Sequence, residues 1–225
     1  MVRLAHGAFK ILLRERKRML GQLLKFFVVF FVVVEPVSLA PVFQSLTVGA
    51  TDEYRRRMAF KSVGISAIIL LLFSVGGKPF LAVMGITVQA FRIFGGLVLF
   101  LIALEMVFAR ESGRRTSTDE QAESRRRADI SVFPLAFPLI AGPGALVTVL
   151  LWVGSVSIVE RPLLFAGLAV SAALVLAITL GLMLLSGRLM RLLGVTGANV
   201  VNRLLGIILG ALAVQFVLDG IRATF

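Results

Sequence analysis

The sequence predicts an all-α, polytopic membrane protein of six transmembrane helices, arranged as two inverted three-helix repeats with discontinuous helices one and four. Three observations lead to this fold class. Hydrophobic residues make up 58% of the chain and the mean hydropathy is +0.97, well above the composition of soluble domains. The hydrophobic residues are gathered in blocks long enough to cross a bilayer. Motifs of the first half also recur in the second half.

The predicted spans follow from the lengths of the hydrophobic blocks. The second block is expected to end at Gly76-Gly77-Lys78-Pro79, because glycine and proline interrupt helices. The first block carries Pro36 and Pro41 near its middle, and the fourth carries Pro138 and Gly142-Pro143-Gly144. The blocks cover about residues 23–48, 58–75, 88–108, 130–153, 162–185 and 200–221.

Four segments organise the chain around these spans. Residues 1–21 form a basic N-terminal extension, which is either an amphipathic surface helix or a mis-called start with translation beginning at Met19. The first three-helix repeat covers residues 22–109, and the second covers residues 130–225. Between them, residues 110–129 form a polar cytoplasmic loop with six arginines.

The distribution of charge predicts the orientation. The formal net charge is +12, and the connections after spans one, three and five hold most of the basic residues outside the N-terminal extension. Lys and Arg concentrate in cytoplasmic connections, so both termini are expected on the outer, periplasmic face of the inner membrane. Apart from the basic tail up to Lys25, which disagrees with this orientation, only Lys78, Arg161 and Arg222 lie on that outer side. The twelve basic residues on the cytoplasmic side are Arg55, Arg56, Arg57, Lys61, Arg110, Arg114, Arg115, Arg125, Arg126, Arg127, Arg188 and Arg191.

The first span is interrupted at Glu35-Pro36-Val37-Ser38-Leu39-Ala40-Pro41. This stretch lies roughly 12 residues from either end of its block, which is about half a bilayer. An ionisable side chain at that depth costs at least about 2 to 3 kcal/mol and marks a candidate functional site. A neutral, hydrogen-bonded carboxylic acid, or a partner for a buried arginine, is the structural alternative for Glu35.

An internal repeat relates the two broken spans. Gly85-Ile86-Thr87 recurs as Gly194-Val195-Thr196, and the Pro36 pattern recurs at Pro143, each after about 110 residues. Arg92 likewise recurs as Arg203. Because each half holds three spans, the second half is inserted upside down, which is the arrangement of many secondary transporters.

The breaks have the chemistry of a zwitterion site. Proline and glycine free backbone groups that cannot face lipid, so these groups must line a cavity. First-turn amides suit a carboxylate, and carbonyl ends together with Glu35 suit an ammonium, a proton or a cation. Small neutral amino acids carry both charges. The residues assigned to this site are Glu35, Pro36, Ser38, Pro41, Gln44, Pro138, Gly142, Pro143, Gly144, Thr148 and Asn202, with Arg92 and Arg203 as supporting charges.

These residues also have structural interpretations that involve no substrate. Proline kinks are common in transmembrane helices that bind nothing. Arg92 and Arg203 either extend toward a membrane interface or contact carbonyls at the breaks. A non-transporting scaffold or partner-binding protein is the alternative to a transporter.

Composition argues against other classes of protein. The chain has no cysteine and a single histidine, His6, so an enzyme based on a thiol, a histidine relay or a zinc site is not expected. No cofactor is expected either, although H⁺ or Na⁺ could couple transport. The basic residues lie between spans, so a nucleic-acid partner is not expected. No span carries a long polar stripe, which argues against a channel. A homo-oligomer is compatible with the sequence.

Four motifs resemble the signatures of one membrane-protein family, the MarC family with its SnatA-type transporters. The stretch from Glu35 to Phe43 is similar to the family motif Asp/Asn-Pro-x-Gly-x-x-Pro. Residues 91–97, 137–145 and 202–206 match its other motifs in order and spacing. The resemblance covers about residues 22–222. The chain departs from the pattern at Glu35, where Asp or Asn is usual, and at Ser38, where Gly is common.

The resemblance implies an inner-membrane protein with six helices and an inverted repeat. For SnatA-type relatives it implies movement of small neutral amino acids such as glycine and alanine. The expected function is therefore secondary transport of such an amino acid by alternating access, with export as one direction. The partners implied are the lipid bilayer and a small zwitterionic amino acid.

Overall fold

The computed structural model describes residues 2–108, 129–154, 156–157 and 159–224. Within these ranges the regular structure is entirely helical. The helices are α1 (Val2–Val34), α2 (Pro36–Leu46), α3 (Asp52–Val83), α4 (Val88–Phe108), α5 (Ser131–Ile140, an irregular segment with extended residues at Phe133 and Phe137), α6 (Pro143–Trp152), α7 (Pro162–Leu184) and α8 (Ser186–Arg222).

The helices confirm a polytopic membrane protein. In the part of the chain that the structure describes, five helices are long and apolar enough to cross a membrane, and the bent pair α5 and α6 gives a sixth span if counted as one. The first of the five joins α1 and α2 over Arg14–Leu46. The predicted third span coincides with α4, and the predicted fifth span ends one residue beyond α7.

Helix α1 runs without interruption from Val2 to Val34. The basic extension is thus continuous with the first span. Whether it is a surface helix or a mis-called start stays a prediction. In the predicted cytoplasmic loop, residues 110–128 lie outside the described residues, and the four-segment division also stays a prediction.

The second span is longer than predicted, because α3 continues through Gly76-Gly77-Lys78-Pro79 to Val83. Membrane helices tolerate an internal proline when the surrounding protein satisfies the freed backbone groups. Gly77 is buried against the side chain of Leu150 in α6, where a Cβ atom would overlap it. This glycine therefore permits close helix packing and does not end the helix.

The last helix also begins earlier than predicted. It starts at Ser186 and contains a kink at Gly194, where φ is 61° and ψ is 179°. The part of this helix that is long and apolar enough to cross a membrane is Asn199–Arg222. Glycine permits the positive φ at low cost, so Gly194 separates a short helical segment after α7 from the span-length segment, which matches the predicted sixth span to within one residue.

Helices α4 and α8 pack against each other in antiparallel directions. Gly206 of α8 approaches the Ala103 carbonyl, and Gly220 approaches the Gln89 carbonyl. Residue numbers thus rise along one helix as they fall along the other. Glycines let the two backbones come close, as at many membrane helix interfaces. An inverted repeat requires this antiparallel arrangement of its third helices, although the repeat itself stays a prediction.

The starts of α3, α5 and α8 meet at one end of the bundle, which we call the basic end. Arg55 of α3 donates to the Ser186 hydroxyl of α8 (3.0 Å), and Lys61 pairs with Asp129, just ahead of α5. The hydrogen bond from Lys61 lowers the pKa of Asp129 to about 2. The described residues at the ends of three connections predicted to be cytoplasmic, Arg55, Asp129 and Ser186, therefore lie at the same end of the bundle.

Candidate functional site

The first break lies at Glu35, between α1 and α2. Glu35 is buried and adopts the left-handed backbone conformation, with φ 53° and ψ 57°. It is the one non-glycine residue with positive φ among the described residues. Pro36 has no N–H and begins α2, whose first-turn amides have no partner within their own helix. The predicted break is confirmed at this position.

The left-handed conformation at Glu35 accounts for the Asp or Asn that the family motif has at this position. Asp and Asn enter this region several-fold more often than other non-glycine residues. The resemblance described above has Asp or Asn at the position of Glu35. Glu has no such preference, so Glu35 holds a conformation that costs of order 1 to 2 kcal/mol.

The second break lies at Ala141 and Gly142, where α5 and α6 meet at a bend of 58°. The backbone is already extended at Phe133 and Phe137, ahead of the two prolines of α5. Gly142 precedes Pro143, the first residue of α6. A Cβ atom on Gly142 would overlap the Pro138 carbonyl oxygen. Glycine is thus required here by the close approach of backbone to backbone.

The two breaks are neighbours in space. A Cβ atom on Gly144 would meet Val33, two residues before Glu35, and Leu99 of α4. Gly144 and Val33 are themselves buried. The starts of α2 and α6, with their first-turn amides, are therefore brought to the same region of the bundle.

A cavity of about 140 Å³ lies beside the second break. Its wall combines Val33 of α1 with Gly142, Pro143 and Gly144. Pro138 and hydrophobic residues of α4, including Val98 and Ile102, complete it. The lining is mostly apolar, and Glu35 is not among the lining residues. The Glu35 carboxylate thus lies two residues from Val33, which lines the cavity, but does not itself line the cavity.

Ser38 and Asn202 form a direct link across the site. The Ser38 hydroxyl donates to the side-chain oxygen of Asn202 at 2.8 Å, across 164 residues of sequence. Both side chains are half-buried. Ser38 lies one helical turn after Glu35, so this bond joins the first break to α8. The two residues were predicted separately, and the fold brings them together.

Gln44 lies at the basic end and does not line the cavity. Its side-chain oxygen accepts hydrogen bonds from Arg55 (2.5 Å) and from Ser186 (3.1 Å). Arg55 also stacks over the Phe43 ring at 6.0 Å. Sequence reasoning did not single out Arg55 or Ser186 for this cluster, because they are 131 residues apart and no local pattern connects them.

The remaining predicted residues have varied surroundings. The Thr148 hydroxyl is buried and donates to the Gly144 carbonyl one turn earlier (2.8 Å). Pro41 lies inside α2. Arg92 is half-buried in the first turns of α4, whereas Arg203 is exposed on α8. Their proposed roles in binding stay predictions.

Among the described residues, no group of three or more His, Cys, Asp or Glu side chains could hold a metal ion. Polar groups near the breaks include backbone amides and carbonyls, the Glu35 carboxyl group, and the side chains of Ser38, Thr148 and Asn202. Such groups suit a small charged organic molecule or a monovalent cation.

Comparisons with known proteins give matches over most of the chain. A model of the MarC family integral membrane proteins matches residues 20–225. The UPF0056 membrane protein YhcE of Escherichia coli is 35% identical over 201 residues, covering 89% of this chain and 92% of the relative. YvbG of Bacillus subtilis is 35% identical, covering 88% and 93%. A UPF0056 membrane protein of Aquifex aeolicus is 36% identical, covering 88% and 91%. No solved structure matches the chain.

Proposed function

Because the chain belongs to the MarC family of integral membrane proteins, we propose that it is a secondary transporter of a small neutral amino acid. The amino acid resembles glycine or alanine and moves by alternating access. The supporting observation is the meeting of two helix breaks at Val33 and Gly144, beside a cavity. Binding sites at discontinuous helices are characteristic of secondary transporters.

The size of the cavity supports a small substrate. A cavity of about 150 Å³ in another protein holds benzene, which has six non-hydrogen atoms. The cavity beside Gly142 measures about 140 Å³. Glycine and alanine have five and six non-hydrogen atoms, so either one matches this volume, whereas a larger side chain does not.

The chemistry of the breaks supports a zwitterion. First-turn amides and the positive end of the α6 dipole favour the substrate carboxylate. In this proposal the ammonium is received by Glu35, which is buried at the other break. Since Glu35 does not line the cavity in this structure, a movement of α1 and α2 brings the carboxylate to the substrate. The same carboxylate is the candidate site for a coupling H⁺ or Na⁺.

Alternating access requires contacts that open and close at each end. The Ser38 and Asn202 bond joins the two halves of the chain near the breaks, and the Arg55 and Ser186 bond joins them at the basic end. In an inverted repeat the halves rock against each other around a fixed site. The antiparallel packing of α4 and α8 supports that symmetry.

The proposed location is the inner membrane, with the basic end in the cytoplasm and both termini on the outer face. The lack of native cysteine allows a clean test with single cysteines. In intact cells, an impermeant thiol reagent should label Val159→Cys, at the exposed connection before α7, and should leave Arg57→Cys unlabelled. The opposite pattern would reverse the orientation.

The test of function is ligand binding by the purified protein. Glycine and alanine should raise the melting temperature, since a ligand that binds only the folded state stabilises it. Trp152, the single tryptophan, ends α6 and packs against Phe26 at 6.0 Å. Its fluorescence should therefore change with the same ligands. No response to any small neutral amino acid would favour the non-transporting scaffold.

A further inference from the structure

We propose that the basic end carries a binding site for a phosphate-bearing anion, separate from the breaks. A cavity of about 440 Å³ opens there between the start of α3 and the junction of α7 with α8. Arg55, Arg56, Arg188 and Arg191 line it, and Asp52 is the one acidic residue in the lining. The charges of these side chains favour an anion with more than one negative charge or several acceptor oxygens.

Within the part of the chain that the structure describes, no ion pair joins an arginine of this cavity to a carboxylate. Among the described residues, Lys61 and Asp129 form the one ion pair. The guanidinium groups instead contact neutral partners. Arg55 donates to Gln44 and Ser186, and Arg191 donates through Nε to the Gly187 carbonyl at 3.3 Å. Arginine presents five donors in a planar fork that suits phosphate oxygens.

Among the arginines that line this cavity, Arg55 is the one whose side chain is held by neighbouring residues. Its side chain is half-buried and rests over the Phe43 ring, while two hydrogen bonds fix one of its terminal nitrogens. A held guanidinium loses less conformational freedom when an anion arrives. Arg188 and Arg191 of α8 line the same cavity and can contact the anion as well.

The surroundings suit a lipid headgroup. Leu184 and Leu185 line the same cavity and are 41% and 47% exposed, so hydrophobic surface adjoins the guanidinium groups where α7 ends. Basic pockets between transmembrane helices bind the headgroups of acidic lipids. A bound phosphate would bridge α3 to α8, which belong to different halves of the chain. Inorganic phosphate offers the same oxygens without acyl chains.

The experiment measures lipid binding to the full-length protein by native mass spectrometry from neutral detergent. The probes are palmitoyl-oleoyl phosphatidylglycerol, the corresponding phosphatidylcholine, and inorganic phosphate as a competitor. Phosphatidylglycerol should bind more tightly than phosphatidylcholine. Arg188→Gln and Arg191→Gln should each weaken it by about fivefold, as expected for one basic residue near an anionic headgroup.

Two further variants separate the site from general surface charge. Arg57 is exposed and belongs to the same arginine run but does not line the cavity, so Arg57→Gln should leave phosphatidylglycerol binding within about twofold. Asp52→Asn should strengthen binding, a gain that a folding defect cannot produce. Equal losses in Arg57→Gln and Arg188→Gln, or no preference for phosphatidylglycerol, would overturn the proposal. Displacement by inorganic phosphate would identify a soluble phosphate as the source, and resistance to it would identify the lipid.

Discussion

The hydroxyl of Ser38 donates a 2.8 Å hydrogen bond to the side-chain oxygen of Asn202, joining α2 to α8. Ser38 follows the left-handed Glu35 by one turn. The bond therefore ties the first helix break to the second half of the chain. In a transporter that alternates between two states, such a bond is a contact that either closes the substrate path or changes when it opens.

The first prediction concerns this bond. Ser38→Ala and Asn202→Ala should each lower stability by about 1 kcal/mol, and the double variant should cost no more than either single variant, because all three remove one interaction. Thermal unfolding in detergent measures the stability of the wild-type protein, the two single variants and the double variant. Ser171→Ala is the control, since the Ser171 hydroxyl donates within its own helix to Gly167. Additive losses would show that Ser38 and Asn202 act independently.

The second prediction concerns Gly142. Gly142→Ala places a Cβ atom against the Pro138 carbonyl, so it should destabilise the protein by about 1 to 3 kcal/mol, as overpacking does. Ligand binding should weaken as well, because the bend between α5 and α6 must shift. Gly64→Ala is the matched control, since no atom outside the adjacent backbone of its own helix lies within 4 Å of its Cβ position. Equal melting temperatures for the two variants would contradict the tight approach at the second break.

The third prediction concerns substrate size. Val33→Ala removes two methyl groups from the wall of the 140 Å³ cavity. The ratio of serine or valine binding to glycine binding should therefore rise in a thermal-shift panel. Val28→Ala, at a position 45% exposed on the same helix, should leave the ratio unchanged. An unchanged ratio in Val33→Ala would remove this cavity from the substrate site.

The fourth prediction concerns the strained backbone at Glu35. Asn enters the left-handed region more readily than Gln does, while both replacements remove the charge. Glu35→Asn should therefore be more stable than Glu35→Gln, by about 0.5 to 1 kcal/mol, a fraction of the full left-handed penalty. The melting temperatures of the two variants, measured in the same detergent, test this difference in stability. Equal or greater stability of Glu35→Gln would mean that the φ of 53° carries no cost.

Much of the fold could be predicted from the sequence because a bilayer imposes simple rules. Hydrophobic length placed α4 and α7 to within one residue, and the prolines and glycines of α5 and α6 located the second break. The ends of α3 and the start of α8 could not be predicted in the same way. Glycine is ambiguous there, since Gly77 lies inside a continuous helix and serves packing, whereas Gly194 separates two helical segments of α8.

The candidate site was predictable in composition but not in geometry. The sequence pattern marks Glu35 and Gly142 as breaks, but gives no sign that Glu35 is left-handed or that Gly142 faces the Pro138 carbonyl. The contact of Val33 with Gly144 depends on tertiary packing. Gln44 shows the limit most clearly, because its partners Arg55 and Ser186 lie at the basic end and not at the breaks.

The measurement that tests the central claim most directly is exchange of labelled glycine or alanine by the purified protein in liposomes. The wild-type protein and Glu53→Ala, which changes an exposed carboxylate at the start of α3, should both exchange the label. Glu35→Ala should insert normally and exchange none. Absence of exchange by the wild-type protein, or full exchange by Glu35→Ala, would contradict transport through the paired helix breaks.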